Sequence, residues 1–259
     1  MNAIASPVLR AADAAQPSSR TAADAALRAE TLSARHVRGD AVDLPGLLAD
    51  PALGRVAVVS SFGAESAVLL HLVLSAAPET EVLFLDTGKH FPETLAYRDR
   101  LAAHLGIARL TVLRPEAAAL RQADPFGALH GTDPDACCDL RKTGPLQGAL
   151  AGFDSWITGR KRAQSPSRAA LAPVEAEGAR VKLNPLAAWS AGEVASYLDR
   201  HALPRHPLVA KGYPSIGCAP CTAPCAPGED PRAGRWHGRA KTECGIHFGP
   251  SGRTVRTGA

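Results

Sequence analysis

Short, wholly apolar runs alternate with longer, mixed segments through most of the chain. Arg55-Val56-Ala57-Val58-Val59-Ser60 is such a run; a polar, glycine-containing turn and the apolar stretch from Ala67 to Leu74 follow it. That order reads as strand, loop and helix. Val82 to Leu85 opens a second unit, with the loop Asp86-Thr87-Gly88-Lys89 and a helix starting near Pro92, whose fixed φ suits a first turn. Leu110 to Leu113, Trp156-Ile157-Thr158-Gly159 and Val181 to Leu186 supply further extended segments. The alternation predicts an α/β fold: a mostly parallel sheet with helices on both faces and ligands bound beyond the carboxyl ends of the strands.

Between these units, Leu120 to Pro134 reads as loop-rich, and a helix begins at the pair Cys137-Cys138 and reaches Leu150. Pro173 to Gly178 reads as a surface loop. Ser190 and Glu193 have the spacing of a capping box for a helix running to about His201. From Pro204 onward prolines and glycines prevail, which predicts an irregular, mobile arm. The expected organisation is a flexible or helical leader over 1–35, with its helix from about Ala22, an α/β domain over 36–215, and a C-terminal arm over 216–259.

At 259 residues the chain can bury a sizeable core, built mainly from Ala, Leu and Val. Net charge is only +4, yet Arg232 to Arg256 holds six Lys or Arg and one acid, Glu243. A solvated tail has such a composition, as does an anion site; without a nucleic-acid motif, a small anionic ligand is favoured over nucleic acid. No apolar run approaches the roughly twenty residues that span a bilayer, so no membrane partner is expected. The leader carries Asp13, Asp24 and Glu30 and has no signal-type apolar block.

Six cysteines then change the picture. They fall as Cys137-Cys138, Cys218-x-x-Cys221, Cys225, and a lone Cys244 within Glu243-Cys244-Gly245-Ile246-His247. Cys137, Cys138, Cys218 and Cys221 have the spacing of [4Fe–4S] ligands, each thiolate taking one iron corner. Structural zinc and a redox dithiol also use C-x-x-C, although adjacent cysteines crowd a single tetrahedral ion. Cys225 has no assigned role. Cluster thiolates imply a reducing compartment, the cytoplasm. Cys244 has polar and charged neighbours followed by glycine, which favours an exposed, reactive thiol; Arg239, Lys241 and His247 are the cations nearest in sequence.

Two loops suit a nucleotide. Ser60-Ser61-Phe62-Gly63-Ala64-Glu65-Ser66 joins the first strand to its helix, where backbone N–H groups and a helix N-terminus can hold phosphate, although it lacks the Gly-Lys-Ser of a Walker loop. Asp86, Thr87 and Gly88 end the neighbouring strand. Trp156 to Arg168 ends another strand and holds four cations in nine residues, Arg160, Lys161, Arg162 and Arg168, suited to phosphate or sulfate. Arg141 and Lys142 lie one turn beyond the cysteine pair.

In combination these segments resemble the sulfonucleotide reductase family, in particular the assimilatory adenylyl-sulfate (APS) reductases of bacteria. The resemblance rests on Ser60 to Ser66, Leu85-Asp86-Thr87-Gly88, Cys137-Cys138 with Arg141-Lys142, Thr158-Gly159-Arg160 through Gln164-Ser165, Arg232-Ala233-Gly234-Arg235-Trp236 and Glu243 to His247, spanning about Leu53 to His247. It implies an adenine-nucleotide hydrolase-like fold in which 36–215 binds the nucleotide and 216–259 carries cluster ligands and the catalytic cysteine.

The resemblance further implies that Cys244 attacks the sulfate sulfur, expels AMP and forms S-sulfocysteine, from which a thioredoxin-like dithiol releases sulfite. Ser60, Ser61, Phe62, Gly63, Asp86, Thr87, Lys142, Gly159, Arg160, Arg162, Arg232, Arg235 and His247 are the implied substrate residues. The cluster's expected role is structural and electrostatic, coupled to bound sulfate through Lys142. The tail is expected to swing between closed and open positions. Three alternatives stand beside this reading: a reductase of the 3′-phosphorylated nucleotide PAPS, favoured in the family where the cluster cysteines are lacking; an adenylyltransferase or pyrophosphatase of the same fold; and a zinc-stabilised nucleotide-binding regulator. A homo-oligomer is compatible with the sequence, which carries no interface signature.

Overall fold

The computed structural model describes residues 20–236, 241 and 243. Helix α1 (Ala22–His36) opens them, its start fixed by a reciprocal capping box between Thr21 and Asp24. A two-residue hairpin, β1 (Val37–Arg38) and β2 (Ala41–Val42), leads to α2 (Leu44–Ala49). The nucleotide-fold units then follow as β3 (Val56–Ser60), α3 (Ser66–Ala76), β4 (Glu81–Leu85), α4 (Pro92–Leu105) and β5 (Leu110–Leu113). Beyond them come α5 (Ala117–Ala123), α6 (Leu129–Thr132), α7 (Pro134–Cys138), α8 (Gly144–Leu150), β6 (Ser155–Ile157), β7 (Val174–Glu177), β8 (Arg180–Leu183) and α9 (Ala191–Arg200).

Six strands form one sheet in the order β5-β4-β3-β6-β8-β7, parallel throughout except for β7 against β8. Successive strand residues point to opposite faces, so each strand feeds two cores. Val58, Val82 and Phe84 pack with α2, α3, α4 and α9, whereas Ala57, Val59, Leu83 and Leu85 pack with Leu146 and Leu150 of α8. Burial on both faces explains why these strands lack polar alternation. The chain runs outward from β3 through β4 to β5, then returns to place β6 on the other side of β3. That reversal leaves a crevice at the carboxyl ends of β3 and β6, the switch point of a doubly wound sheet.

Three expectations are revised. Residues 173–178 are not a surface loop: Val174–Glu177 is the antiparallel edge strand β7, turned into β8 through Gly178 at φ +59°. Glu177 is buried because its carboxylate receives the Lys182 ammonium, which also lies 4.4 Å from the Trp156 ring centre; burial pushes this lysine down to about 8. The loop-rich stretch contains the short helices α5 and α6. The arm after Pro204 is irregular but well packed over its described part: Leu208, Ile216, Cys218 and Trp236 are buried. Thr222 pairs antiparallel with Arg235, Ala223 N donates to Gly234 O at 2.8 Å, and Trp236 N donates to Cys221 O at 3.1 Å. No helix among the described residues is long and apolar enough to cross a membrane.

Candidate active site

The crevice at the switch point is a cleft of about 280 Å³. Its floor is made by Val59 and Ser60 of β3 with Trp156, Thr158 and Gly159 of the β6 end, and its far wall by Pro214 to Cys218 of the arm. Ser60 is buried and its Oγ accepts from Phe62 N at 3.1 Å, closing the turn into α3. Glu65, at the N-cap, does not cap α3; its carboxylate instead receives the ammonium of buried Lys161 and the Gln164 amide at 3.3 Å. The positive end of α3 therefore opens on the cleft without a side-chain cap.

Among the described residues, Lys142, Arg160, Lys161, Arg168, Arg232 and Arg235 line the cleft together with the Glu65 carboxylate. Arg160 is committed to the wall, paired with Glu175 and donating to Asn184 Oδ1 at 3.1 Å. Arg235 lies over the Trp236 ring at 4.5 Å, donates to Ser215 Oγ at 3.4 Å, and keeps a buried Nε without a hydrogen-bond partner. His90 donates from Nε2 to Leu85 O at 2.8 Å, and its Nδ1 is likewise buried without a partner. Burial pushes this imidazole down; the hydrogen bond to Leu85 O opposes the shift and the Lys142 charge adds to it. A cation-rich, partly apolar cleft with polar atoms still unmatched suits a small anion carrying a planar group.

Arg168 and Arg232 meet a carboxylate from the tail. Arg168 donates to Glu243 from Nε at 2.8 Å and from Nη2 at 2.6 Å, and Arg232 Nη2 adds a contact at 3.4 Å. Cys244 follows Glu243 in sequence. Cys244 and His247 themselves lie outside the described residues, as does Arg239.

The cleft brings together Ser60, Ser61, Gly63, Lys142, Gly159, Arg160, Arg232 and Arg235. Other expected substrate residues stand apart. The Phe62 ring is in the core, edge-on to Phe84 at 5.4 Å, so only its backbone, at φ 49°, shapes the turn. Arg162 turns away to Asp40 at 2.6 Å and to Leu171 O at 2.9 Å. Asp86 accepts from Arg114 at 3.0 Å, and Thr87 is fully buried behind the wall. Lys161 and Arg168 line the cleft as members of the cation run expected to meet phosphate or sulfate. Glu65, Gln164 and the 214–217 strip were not expected there: local spacing does not give the direction of a polar side chain, and the strip carries no charge.

Four cysteines flank the Thr87 loop. Cys137 and Cys138 are buried in α7, and a π-type turn over Asp139–Thr143 then presents Arg141 and Lys142. Arg141 Nη1 donates to Thr87 O at 2.9 Å, while Thr87 Oγ1 lies 3.3 Å from Cys218 Sγ and Ala219 N donates to Lys89 O at 2.7 Å. Burial pushes the Cys137 thiol up; Arg141 opposes this, and Cys218 and Cys221 are near enough to add to it. The five described cysteines form no disulfide with one another. Among the described residues no three His, Cys, Asp or Glu side chains converge on one ion position. Cys225 stands apart, its Sγ accepting from Gly234 N at 3.2 Å inside the arm's hairpin.

Comparison with known proteins agrees with this layout. The profile of the phosphoadenosine phosphosulfate reductase domain matches residues 55–224. Adenosine 5′-phosphosulfate reductase of Mesorhizobium japonicum is 57% identical over 193 residues, covering 74% of this chain and 76% of the relative. Phosphoadenosine 5′-phosphosulfate reductase of Gloeobacter violaceus is 46% identical over 198 residues, covering 74% and 82%. The crystal structure of phosphoadenylyl-sulfate (PAPS) reductase from Candida auris, in a phosphate complex, aligns with a TM-score of 0.58 at 26% identity, covering 68% of this chain and 86% of that one. With its switch-point cleft, its arm and its matched span together, the chain belongs to the phosphoadenosine phosphosulfate reductase domain family.

Proposed function

We propose that this protein reduces adenosine 5′-phosphosulfate to sulfite and AMP in sulfate assimilation, supplying sulfur for cysteine biosynthesis in the cytoplasm. The observation that carries the reading is that two cleft arginines, Arg168 and Arg232, hold the carboxylate of the residue directly before Cys244. The Cys244 thiolate attacks the sulfate sulfur; a bond from Cys244 sulfur to that sulfur forms as the bond to the phosphate-bridging oxygen breaks, and AMP leaves with the electron pair. Lys142, Arg232, Arg235 and His247 balance the charge on the phosphosulfate, Ser60, Ser61, Gly63 and Gly159 shape the nucleotide seat, and Arg160 stiffens its wall. A dithiol of the thioredoxin kind then attacks the Cys244 sulfur and expels sulfite. Its second thiol closes a disulfide and returns Cys244 as thiolate, so two electrons pass from the dithiol to the sulfur.

Cys137, Cys138, Cys218 and Cys221 would hold a [4Fe–4S] cluster. The donor set fits: thiols from two segments, three of them buried, are joined through one loop and approached by Arg141. Bound there, the cluster would supply structural closure and a fixed charge beside Lys142. No step of the sulfur chemistry needs it as an electron carrier.

Sulfite release from anaerobically purified protein, with thioredoxin and a reductant, tests the reading. APS is expected to be used in strong preference to PAPS, and Cys244→Ser to release none. Comparable PAPS use favours the second reading, which the relative from Gloeobacter violaceus supports. Sulfite formation by Cys244→Ser would overturn the mechanism.

A further inference from the structure

A second cavity of about 280 Å³ lies at the other end of the helices from the cleft, and three histidines line it: His71 of α3, His104 of α4 and His201 just after α9. Helices α3 and α9 begin at the cleft, which Ser66 and Ala191 line; Ser75, Leu105 and His201 put the cavity at the carboxyl ends of α3, α4 and α9. The ten residues of α9 set the two about 15 Å apart. The last-turn carbonyls of a helix carry its negative pole, so three such poles face this cavity and favour a cation. The rings of His71 and His201 are 4.7 Å apart between centres, and the Tyr197 ring lies 4.2 Å from that of His201. The Tyr197 hydroxyl is also 2.8 Å from His71 Nδ1. With Nδ1–H donating to that oxygen, Nε2 keeps its lone pair and the ring is held in orientation, which is what an outer hydrogen bond does for a metal-binding histidine.

We propose that His71, His104 and His201 form a binding site for a divalent transition-metal ion of the zinc or nickel kind, separate from the four-cysteine site. Imidazole nitrogen suits such ions, whereas calcium and magnesium take oxygen ligands and the described lining offers no carboxylate. An anion would meet three negative helix poles and imidazoles that are mostly uncharged above neutral pH. As they stand, the three rings do not converge on one ion position. His104 and His201 are exposed at helix ends, and rotation between ordinary rotamers brings their nitrogens toward His71 Nε2. The ion then ties together the carboxyl ends of three helices, two of which start at the cleft.

The test is the rate at which diethyl pyrocarbonate modifies each histidine of the full-length, anaerobically purified protein, read peptide by peptide by mass spectrometry with and without Zn²⁺. This reagent reports imidazoles, so zinc taken up by cysteines does not enter the readout. Free Zn²⁺ at about ten times its Kd is expected to slow modification of His104 and His201 about tenfold and to leave His36 unchanged. Mg²⁺ at the same concentration protects none of them. Tyr197→Phe, which removes only the hydroxyl behind His71, raises the Kd on the order of tenfold. In His104→Gln, an exposed substitution that disturbs no core, Zn²⁺ no longer protects His201 at the concentration that protects it in the wild type. Absence of protection in the wild type would overturn the site. Equal protection of His201 in the wild type and in His104→Gln would do the same, since it would mean separate histidines binding zinc adventitiously.

Discussion

Thr87 Oγ1 lies 3.3 Å from Cys218 Sγ. The same residue's carbonyl accepts from Arg141 at 2.9 Å, and Arg141 forms a buried pair with Asp124 at 2.6 Å. The loop after β4 therefore bridges a helix and an arm that are eighty residues apart in sequence and carry the two cysteine pairs. Replacing Arg141 by Met leaves the Asp124 carboxylate buried without its ion-pair partner, with only the Leu129 N–H still donating to it at 2.9 Å, a change that costs about 3–5 kcal/mol. The expected outcome is a lower urea midpoint and less iron per chain; Arg141→Met/Asp124→Leu recovers most of the stability. An unchanged midpoint in Arg141→Met would count against the bridge.

Lys142 lines the cleft one turn beyond Cys138, within the π-type turn. Lys142→Ala should lower kcat by about a hundredfold, the scale of one lost electrostatic contact in a dry site, while iron content stays at the wild-type level. Loss of iron together with activity would make Lys142 structural.

Gly217 lies beneath the Arg235 guanidinium: a Cβ there would stand 2.3 Å from Nη2. Gly217→Ala should push Arg235 off Trp236 and raise KM for the anionic nucleotide about tenfold, with little change in thermal midpoint, because a charge-assisted hydrogen bond is lost and no core is touched. Unaltered steady-state kinetics would show that Arg235 does not bind substrate.

His206 predicts an acid sensitivity. It is buried between Thr94, at 3.1 Å from Nε2, and Leu208, whose N–H donates to Nδ1 at 3.2 Å, so the neutral Nε2–H tautomer satisfies both contacts. Burial pushes the imidazole down to about 4 from 6.5, with Glu93 opposing and Arg100 adding. A group held below its unfolded value takes up its proton more readily in the unfolded chain. Its contribution is complete above pH 6.5 and is lost as pH falls toward 4, about 2 kcal/mol of it by pH 5. Denaturation midpoints at pH 7.5 and 5 should fall further in the wild type than in His206→Asn; parallel falls would discount His206.

Cys225 serves as a control for the cysteine assignments. Its thiol accepts from Gly234 N and otherwise faces the arm's own turn, so Cys225→Ala should cost within about 1 kcal/mol and keep iron and sulfite release. Cys137→Ser should bleach the protein. Equal loss in both variants would argue against the assignment of four ligands.

Local patterning determined a good deal of this protein. Apolar runs too short for helices, each followed by a polar turn and a longer segment, specify a parallel sheet because strands buried on both faces carry such runs. The Ser190–Glu193 capping box and the start of α1 are written in neighbouring residues, and both occur where the pattern puts them. The switch-point cleft follows from strand order. Pro173, by contrast, suggested a loop, yet it merely precedes an edge strand held by the Lys182–Glu177 pair across the hairpin.

Tertiary structure decided what each charged residue in a shared motif does. Arg160, Arg162 and Arg168 lie within nine residues, but one braces a wall through Asn184, one leaves for Asp40, and one grips Glu243 from the far end of the chain. Partners at separations of 24, 122 and 75 residues leave no trace in local spacing. The sequence by itself determined which chemistry was available, since residue type sets charge and nucleophilicity. Which cation meets which anion was left to the fold, because an ion pair depends on the direction of a side chain and the burial around it.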